Sequence, residues 1–213
     1  MAYAAARTSV VASTDEERTM TRILIVNGHP DPDEGHFVHA LTDAYAEGAR
    51  AVGHEVRRID VGDLAFDSIR NLADFNEGKP PPAIRKAQED LLWAQHWLLA
   101  YPLWLGSMPG RFKSFVEQVL RPGFAFGELK GRGMPKKLLK GRSARIVVTM
   151  GMPGLFYRTY YRAHSLKSLE RNILAFVGVA PVRASLVGMV DKLTEAQRRH
   201  WLARMKYLGA KAS

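Results

Sequence analysis

The chain has 213 residues, 46% hydrophobic and 24% charged, which suits one well-buried soluble domain; no apolar run approaches the roughly 20 residues that insertion into a membrane needs. It has no cysteine, which excludes disulfides, thiolate metal sites and cysteine nucleophiles together and is compatible with a reducing, cytoplasmic setting. The net charge of +10 raises nucleic acid as a partner, but no DNA- or RNA-binding motif is present, and attraction of a phosphorylated cofactor is a more economical use of the charge.

Residues 1–21 are rich in Ala, Ser, Thr and charge, without an amphipathic period or the apolar core of a secretory signal, and are expected to form an N-terminal extension. Residues 22–213 then alternate strand and helix patterns. Residues 22–27 are an apolar run that suits a central parallel strand. Residues 37–52 carry Val38, Leu41, Tyr45, Ala49 and Val52 at helical spacing. A second strand is expected over 55–59, a long loop over 63–82, a helix over 83–93 and a third strand over 96–101. Pro109 suits the first residue of a helix, which is expected over 111–120. After an irregular stretch over 121–143 come a fourth strand over 145–150, a helix over 165–177, a fifth strand over 182–187 and a closing helix over 194–209 that Thr194 can cap. The basic run Lys130, Arg132, Lys136, Lys137, Lys140, Arg142 and Arg145 has no interleaved aromatics, which again speaks against nucleic acid. Five strands alternating with helices imply an α/β, doubly wound parallel sheet covered on both faces. Spacing alone leaves a five-stranded and a six-stranded order both open.

Three segments can carry chemistry. The loop over residues 28–37 joins a strand to a helix N-terminus, where backbone N–H groups and the helix dipole favour an anion. Asp31, Asp33 and Glu34 argue against a phosphate there, and the alternative is a surface turn stiffened by Pro30 and Pro32. The loop over residues 102–108 follows a strand end, where ligands sit in open parallel sheets; Tyr101, Trp104 and Leu105 can line a flat apolar ring there, and the loop's free backbone N–H groups can bond the ring's polar edge. The bland alternative is a buried aromatic cluster, which fits Trp97 better than Trp104. The third segment is Thr149-Met150-Gly151 after the fourth strand, where glycine permits close approach of a ligand, followed by Tyr157, Tyr160, Tyr161 and His164. The seven histidines are scattered, with only His36 and His39 at helix-face spacing, so no metal site is expected.

The segment Tyr-Pro-Leu-Trp-Leu-Gly-Ser-Met-Pro-x-x-x-Lys, from Tyr101 to Lys113, resembles the isoalloxazine loop of the flavodoxin-like NAD(P)H:quinone oxidoreductases, and the likeness extends over residues 22–210. The resemblance selects the flavodoxin-like strand order 2-1-3-4-5. It implies that Pro102, Leu103, Trp104 and Leu105 contact a flavin, although the family usually has an aromatic where Leu105 stands. The loop of residues 28–37 resembles the family's flavin-phosphate loop, so His29, His36 and Phe37 are implied as cofactor contacts; His36 and Val38 stand where a hydroxyl and an Asn are common. Thr149 and Gly151 match the segment beside the pyrimidine edge. Tyr157 and His164 match the Tyr/His pair that stabilises charge on reduced flavin, with one extra residue between them and Tyr160 as the rival phenol.

The resemblance implies a flavoenzyme in which NAD(P)H delivers hydride to bound flavin and a quinone-like acceptor then takes its place, in ping-pong order. FAD is favoured and FMN is possible. A homodimer is expected, since a second subunit commonly completes the acceptor pocket in that family. The alternatives are a flavin-binding electron carrier, against which the charge of +10 speaks, and a redox-sensing regulatory subunit of a transporter.

Overall fold

Alternating apolar side chains in five short strands build one all-parallel sheet, and their periodicity sorts the core into two layers. The computed structural model describes residues 20–127 and 133–213. Of the N-terminal extension, residues 1–19 lie outside the described residues, as do Lys130 and Arg132 of the basic run. The strands are β1 (Arg22–Asn27), β2 (Glu55–Asp60), β3 (His96–Pro102), β4 (Ser143–Thr149) and β5 (Val182–Val187), in the order 2-1-3-4-5 that the resemblance selects. Central β3 is buried throughout, as expected of a strand covered on both faces.

Because strand side chains alternate, Leu24, Val26, Trp97, Leu99 and Tyr101 share one core and Ile23, Ile25, Leu98 and Ala100 the other. The second core is closed by α1 (Phe37–Ala51) and α8 (Glu195–Ala210). The first is closed by α3 (Pro82–Trp93), α4 (Gly110–Val119), a helix starting at α6 (His164–Lys167) and ending at α7 (Ala175–Val177), and the segment between them. That segment, Ser168–Leu174, is a π-helix, so the single helix expected over 165–177 changes its hydrogen-bond pitch in the middle. Pro109 lies one position outside the expected place, at the N-cap of α4.

Two short helices lie outside the expected ones, one of them inside the expected loop over 63–82. The first, α2 (Leu72–Glu77), is capped by Asn71, whose side-chain oxygen accepts from Asp74 N–H at 2.7 Å. Six residues with no buried side chain leave no periodicity to read. Buried Arg121 holds this helix in place by donating to the carbonyls of Asp74 and Gly78. The second, α5 (Gly154–Thr159), follows β4.

Helices α1 and α8 touch backbone to backbone. A Cβ at Gly48 would lie 1.9 Å from the Lys206 carbonyl oxygen, and one at Gly209 would lie 2.0 Å from that of Tyr45. Glycine is therefore required at both positions, and α8 can fold back over α1 closely enough to reach the loop after β1. Thr194 caps α8 as expected, in a reciprocal capping box with Gln197. Among the described residues no helix is long and apolar enough to cross a membrane.

The lower end of the sheet holds a buried, cation-rich cluster. His96 at the start of β3 is 2% exposed, pairs with Ser143 Oγ through Nδ1 at 2.7 Å, and has no partner for Nε2. Burial, then Arg145, Arg183 and His54, push its pKa down to about 4. The folded pKa lies below the ordinary 6.5, so the unfolded chain binds more protons between those values. Stability is therefore full above about pH 6.5 and falls toward pH 4, by up to about 3 kcal/mol from this group. Urea unfolding at pH 7.5 and pH 5 should show a smaller pH dependence for His96→Gln than for the wild type; equal dependence would assign the acid sensitivity elsewhere. Gly48→Ala should cost about 1–3 kcal/mol by overpacking the α1–α8 contact, read from the same unfolding curves.

Candidate functional site

At the upper end of the sheet, β1, β3 and β4 end side by side, with Asn27 opposite Ala100 and Pro102 opposite Thr149. The fully buried carboxamide of Asn27 organises this end. Its oxygen accepts from His29 N–H at 3.2 Å, and its nitrogen donates to Asp60 at 3.1 Å and to His39 Nδ1 at 3.0 Å. One side chain thus joins β1, β2, α1 and the loop after β1. That loop leaves over Gly28, where a Cβ would lie 2.6 Å from the Phe112 ring. His29 is buried, and its Nδ1 lies 3.1 Å from Asp31 N and 2.9 Å from Asp31 O. Burial holds its pKa below the ordinary histidine value, only partly opposed by the hydrogen bond to Asp31. Its ring stacks on that of His36 at 3.9 Å, and Trp104 meets it edge-on at 5.8 Å.

These rings border a cleft of about 440 Å³ at the carboxyl ends of the strands. His29 and the run Gly35-His36-Phe37-Val38 form one wall, Pro102, Leu103 and Trp104 a second, and Thr149, Met150 and Gly151 a third. The fourth is Val190, Asp191 and, from α8, Arg198. The guanidinium of Arg198 lies 5.0 Å from the Phe37 ring centre and donates to the Val190 carbonyl at 2.9 Å. The structure thus gathers eight of the expected cofactor residues, His29, His36, Phe37, Pro102, Leu103, Trp104, Thr149 and Gly151, around one cavity.

Leu105 does not line it. Trp104 and Ser107 exchange backbone hydrogen bonds at 2.8 and 2.9 Å across a two-residue turn, with Leu105 at φ 46° and Gly106 at φ 79°. Both central residues are left-handed, and the Leu105 side chain is thrown fully into solvent. The same turn engages Trp104 N–H, and Leu103 N–H donates to Thr149 O at 2.7 Å. The backbone donors of these two residues are thus committed within the protein, and so is the Trp104 carbonyl; they present side chains to the cleft.

The expected Tyr157–His164 pair is not assembled around the cleft either, since neither residue lines it. Tyr157 is 2% exposed; its hydroxyl pairs with Ser165 Oγ at 2.7 Å and accepts from Leu166 N–H at 3.1 Å. It serves as the cap for the first turn of α6, whose N-cap, Ala163, has no side chain for the purpose. His164 is exposed at that helix start, and Tyr160 stacks on Phe156 at 4.9 Å in an exposed aromatic patch with Tyr161. Sequence reasoning missed Arg198, Val190 and Asp191. Nothing in the spacing of α8 marks Arg198, because its place depends on how closely α8 packs over α1.

The cleft has the donor set for a phosphorylated aromatic cofactor. One wall is a helix start with no side-chain cap, open to an anion and backed by a guanidinium. Another is an apolar strand end carrying an indole. A doubly wound sheet with its cleft at the carboxyl ends of the strands is an open α/β protein whose cleft lies where such sheets take their ligands. The chain belongs to the family of flavodoxin-like fold, whose model matches residues 21–208. It is 25% identical over 180 residues to an "Uncharacterized NAD(P)H oxidoreductase" of Haemophilus influenzae, covering 83% of this chain and 88% of the relative. It is 28% identical over 149 residues to an FMN-dependent NADH:quinone oxidoreductase of Ruegeria pomeroyi, covering 62% and 72%. The solved NAD(P)H:quinone oxidoreductase from Methanothermobacter marburgensis superposes with a TM-score of 0.74 at 21% identity, over 91% of this chain and all of the other; that likeness speaks for the fold.

Replacing Tyr157 by Phe removes the cap of α6 and leaves Ser165 and Leu166 N–H without it. The expected loss is about 1–2 kcal/mol of stability, measured by urea unfolding; an unchanged midpoint would show that the phenol carries no structural role.

Proposed function

We propose that the chain holds FMN in this cleft and uses it to oxidise NAD(P)H, passing the reducing equivalents to a quinone-like acceptor in ping-pong order. The observation that carries the reading is the meeting, in one cavity, of an uncapped helix start with Arg198 and of the Pro102-Leu103-Trp104 strand end. The FAD favoured by the resemblance gives way to FMN, because the Ruegeria relative is named as FMN-dependent. The chain is an oxidoreductase on this reading, as its curated relatives are named.

The first turn of α1 and the Arg198 guanidinium hold the phosphate, with the helix dipole and the positive charge acting together. Pro102, Leu103 and Met150 supply an apolar seat for the ring, and half-exposed Trp104 shields its outer side from water. The bound flavin supplies the hydride chemistry. The protein's part is to fix the ring beside the open mouth, where a nicotinamide and an acceptor can enter in turn. The patch of Leu155, Phe156, Tyr160 and Tyr161 on and after α5 is exposed and apolar, which favours a homodimer over a lone subunit.

The test begins with the visible spectrum of the purified protein and the mass of any released cofactor. FMN-type absorbance, or micromolar uptake of added FMN, together with turnover of NAD(P)H and a soluble quinone, is the expected outcome. Absence of flavin binding would sink the reading; binding without turnover would leave an electron carrier. Trp104→Ala should weaken flavin affinity by about tenfold or more, in line with roughly 1–3 kcal/mol for stacking on an aromatic. Unchanged affinity would place that indole away from the ring.

A further inference from the structure

The two edges of the sheet are finished differently. On β2 the arginines are paired, Arg57 with Asp90 at 2.7 Å and Arg58 with Asp60 at 2.7 Å. On β5, the other edge, Arg183 and Ala184 are exposed, and Arg183 has no ion pair among the described residues. Strand β5 binds β4 through alternate residues: Ala144 N–H donates to Pro181 O at 2.9 Å and Met150 N–H to Val187 O at 2.9 Å. The two-residue period between these bonds assigns the inward-facing backbone to Arg183 and Ser185, and it turns the N–H and C=O of Ala184 outward. Among the described residues neither group of Ala184 has a hydrogen-bond partner. The open stretch is short, because α5 crosses the edge at Leu186, where a Cβ on Gly154 would lie 3.8 Å from the Leu186 oxygen.

Outside Ala184 lies a groove of about 560 Å³ that shares no residue with the cleft at the strand ends. It opens between the two layers, since Leu166 and Leu186 belong to the first core and Trp201 of α8 packs against the second. Arg158 from α5, Lys167 from α6 and Arg204 from α8 line it, against the single carboxylate of Glu170. None of the three cations has an ion pair or a side-chain hydrogen bond among the described residues; the Arg204 guanidinium lies 5.4 Å from the Trp201 ring centre. A strand laid along β5 alternates its side chains between the two layers. One face then meets Trp201 and Arg204, the other Leu166, Arg158 and Lys167, so each offers an apolar surface and a cation. A second copy of β5 would set Arg183 and the same basic groove against themselves, and like charges facing each other repel. An acidic strand meets the opposite charge.

We propose that the β5 edge docks an extended acidic segment of a partner protein, which joins the sheet through main-chain bonds to Ala184 and sets its carboxylates against Arg158, Lys167 and Arg204. Main-chain pairing at a free edge supplies the register, and the cations supply the choice of partner. The docking site is independent of the flavin reading of the cleft.

The probes are an end-blocked Thr-Val-Glu-Glu-Val-Thr peptide and its Lys-Lys counterpart, titrated into the full-length protein at low salt. The acidic peptide should bind about tenfold or more tighter than the basic one and weaken as salt is added. Arg158→Glu combined with Lys167→Glu, both exposed positions, should weaken binding of the acidic peptide by about tenfold or more while the far-UV circular dichroism stays that of the wild type. Backbone hydrogen exchange reads the pairing itself. In the free protein Arg183 and Ser185 N–H should be protected and Ala184 N–H should exchange fast; the acidic peptide should slow Ala184. No binding of the acidic peptide at millimolar concentration, equal affinity for the two peptides, unchanged affinity in the double variant, or binding that leaves Ala184 exchange unaltered would each overturn the proposal. Ala184 already protected in the free protein would also overturn it. Loss of that protection on dilution would then name a second copy as the occupant, and its persistence a segment of this chain.

Discussion

The buried carboxamide of Asn27 is the interaction on which the upper end of the sheet depends. It sits at the last position of β1 with no exposure, so each of its hydrogen-bonding groups must be satisfied inside the protein. The partners it finds, His29 N–H, Asp60 and His39, belong to the loop, to β2 and to α1. Leaving any of them unmet costs about 1–3 kcal/mol, so the loop after β1 is held in one course. Asp60 is itself engaged by Arg58, which extends the network to the edge of the sheet. The stacked histidines, the Asp31 contact and the open first turn of α1 all follow from that fixed departure.

The two ends of the sheet have different physical characters. At the lower end, His96, Tyr45 and Arg145 are buried together, and the Tyr45 hydroxyl and His96 Nε2 lack hydrogen-bond partners. Burial and nearby cations keep the imidazole neutral there, a condition that serves packing and costs acid stability. At the upper end Asn27 and His29 find partners inside the protein, and Arg198 lines the open cleft beside the uncapped start of α1. Parallel strands create this asymmetry, since every strand leaves its carboxyl end, and every following helix its N-terminus, on the same side.

The flat apolar wall of the cleft is built by a turn that departs from the usual chemistry. Both central residues between Trp104 and Ser107 are left-handed, and one of them is leucine. Gly106 meets that requirement without a steric cost, whereas Leu105 does not. The consequence is geometric: the indole is turned back toward His29 while the leucine points outward. The N–H groups of Leu103, Trp104 and Ser107 are committed to β4 and to the turn, so this part of the wall offers shape and ring faces.

The sequence by itself determined the strands, the order of alternation and most of the cleft. Five apolar runs with helical periods between them can bury their surfaces only as a doubly wound sheet, and the loops at the strand ends then meet. For that reason His29, His36, Phe37, Pro102, Leu103, Trp104, Thr149 and Gly151, drawn from three separate loops, could be named together from local chemistry and family likeness. What only the tertiary structure decided depends on distances between elements far apart in the chain. Arg198 reaches the cleft because Gly48 and Gly209 let α8 lie directly on α1. Tyr157 turns inward because the start of α6 lacks a cap and its phenol supplies one. No local pattern encodes either outcome, since each is settled by which partner a buried group finds once the chain has closed around it.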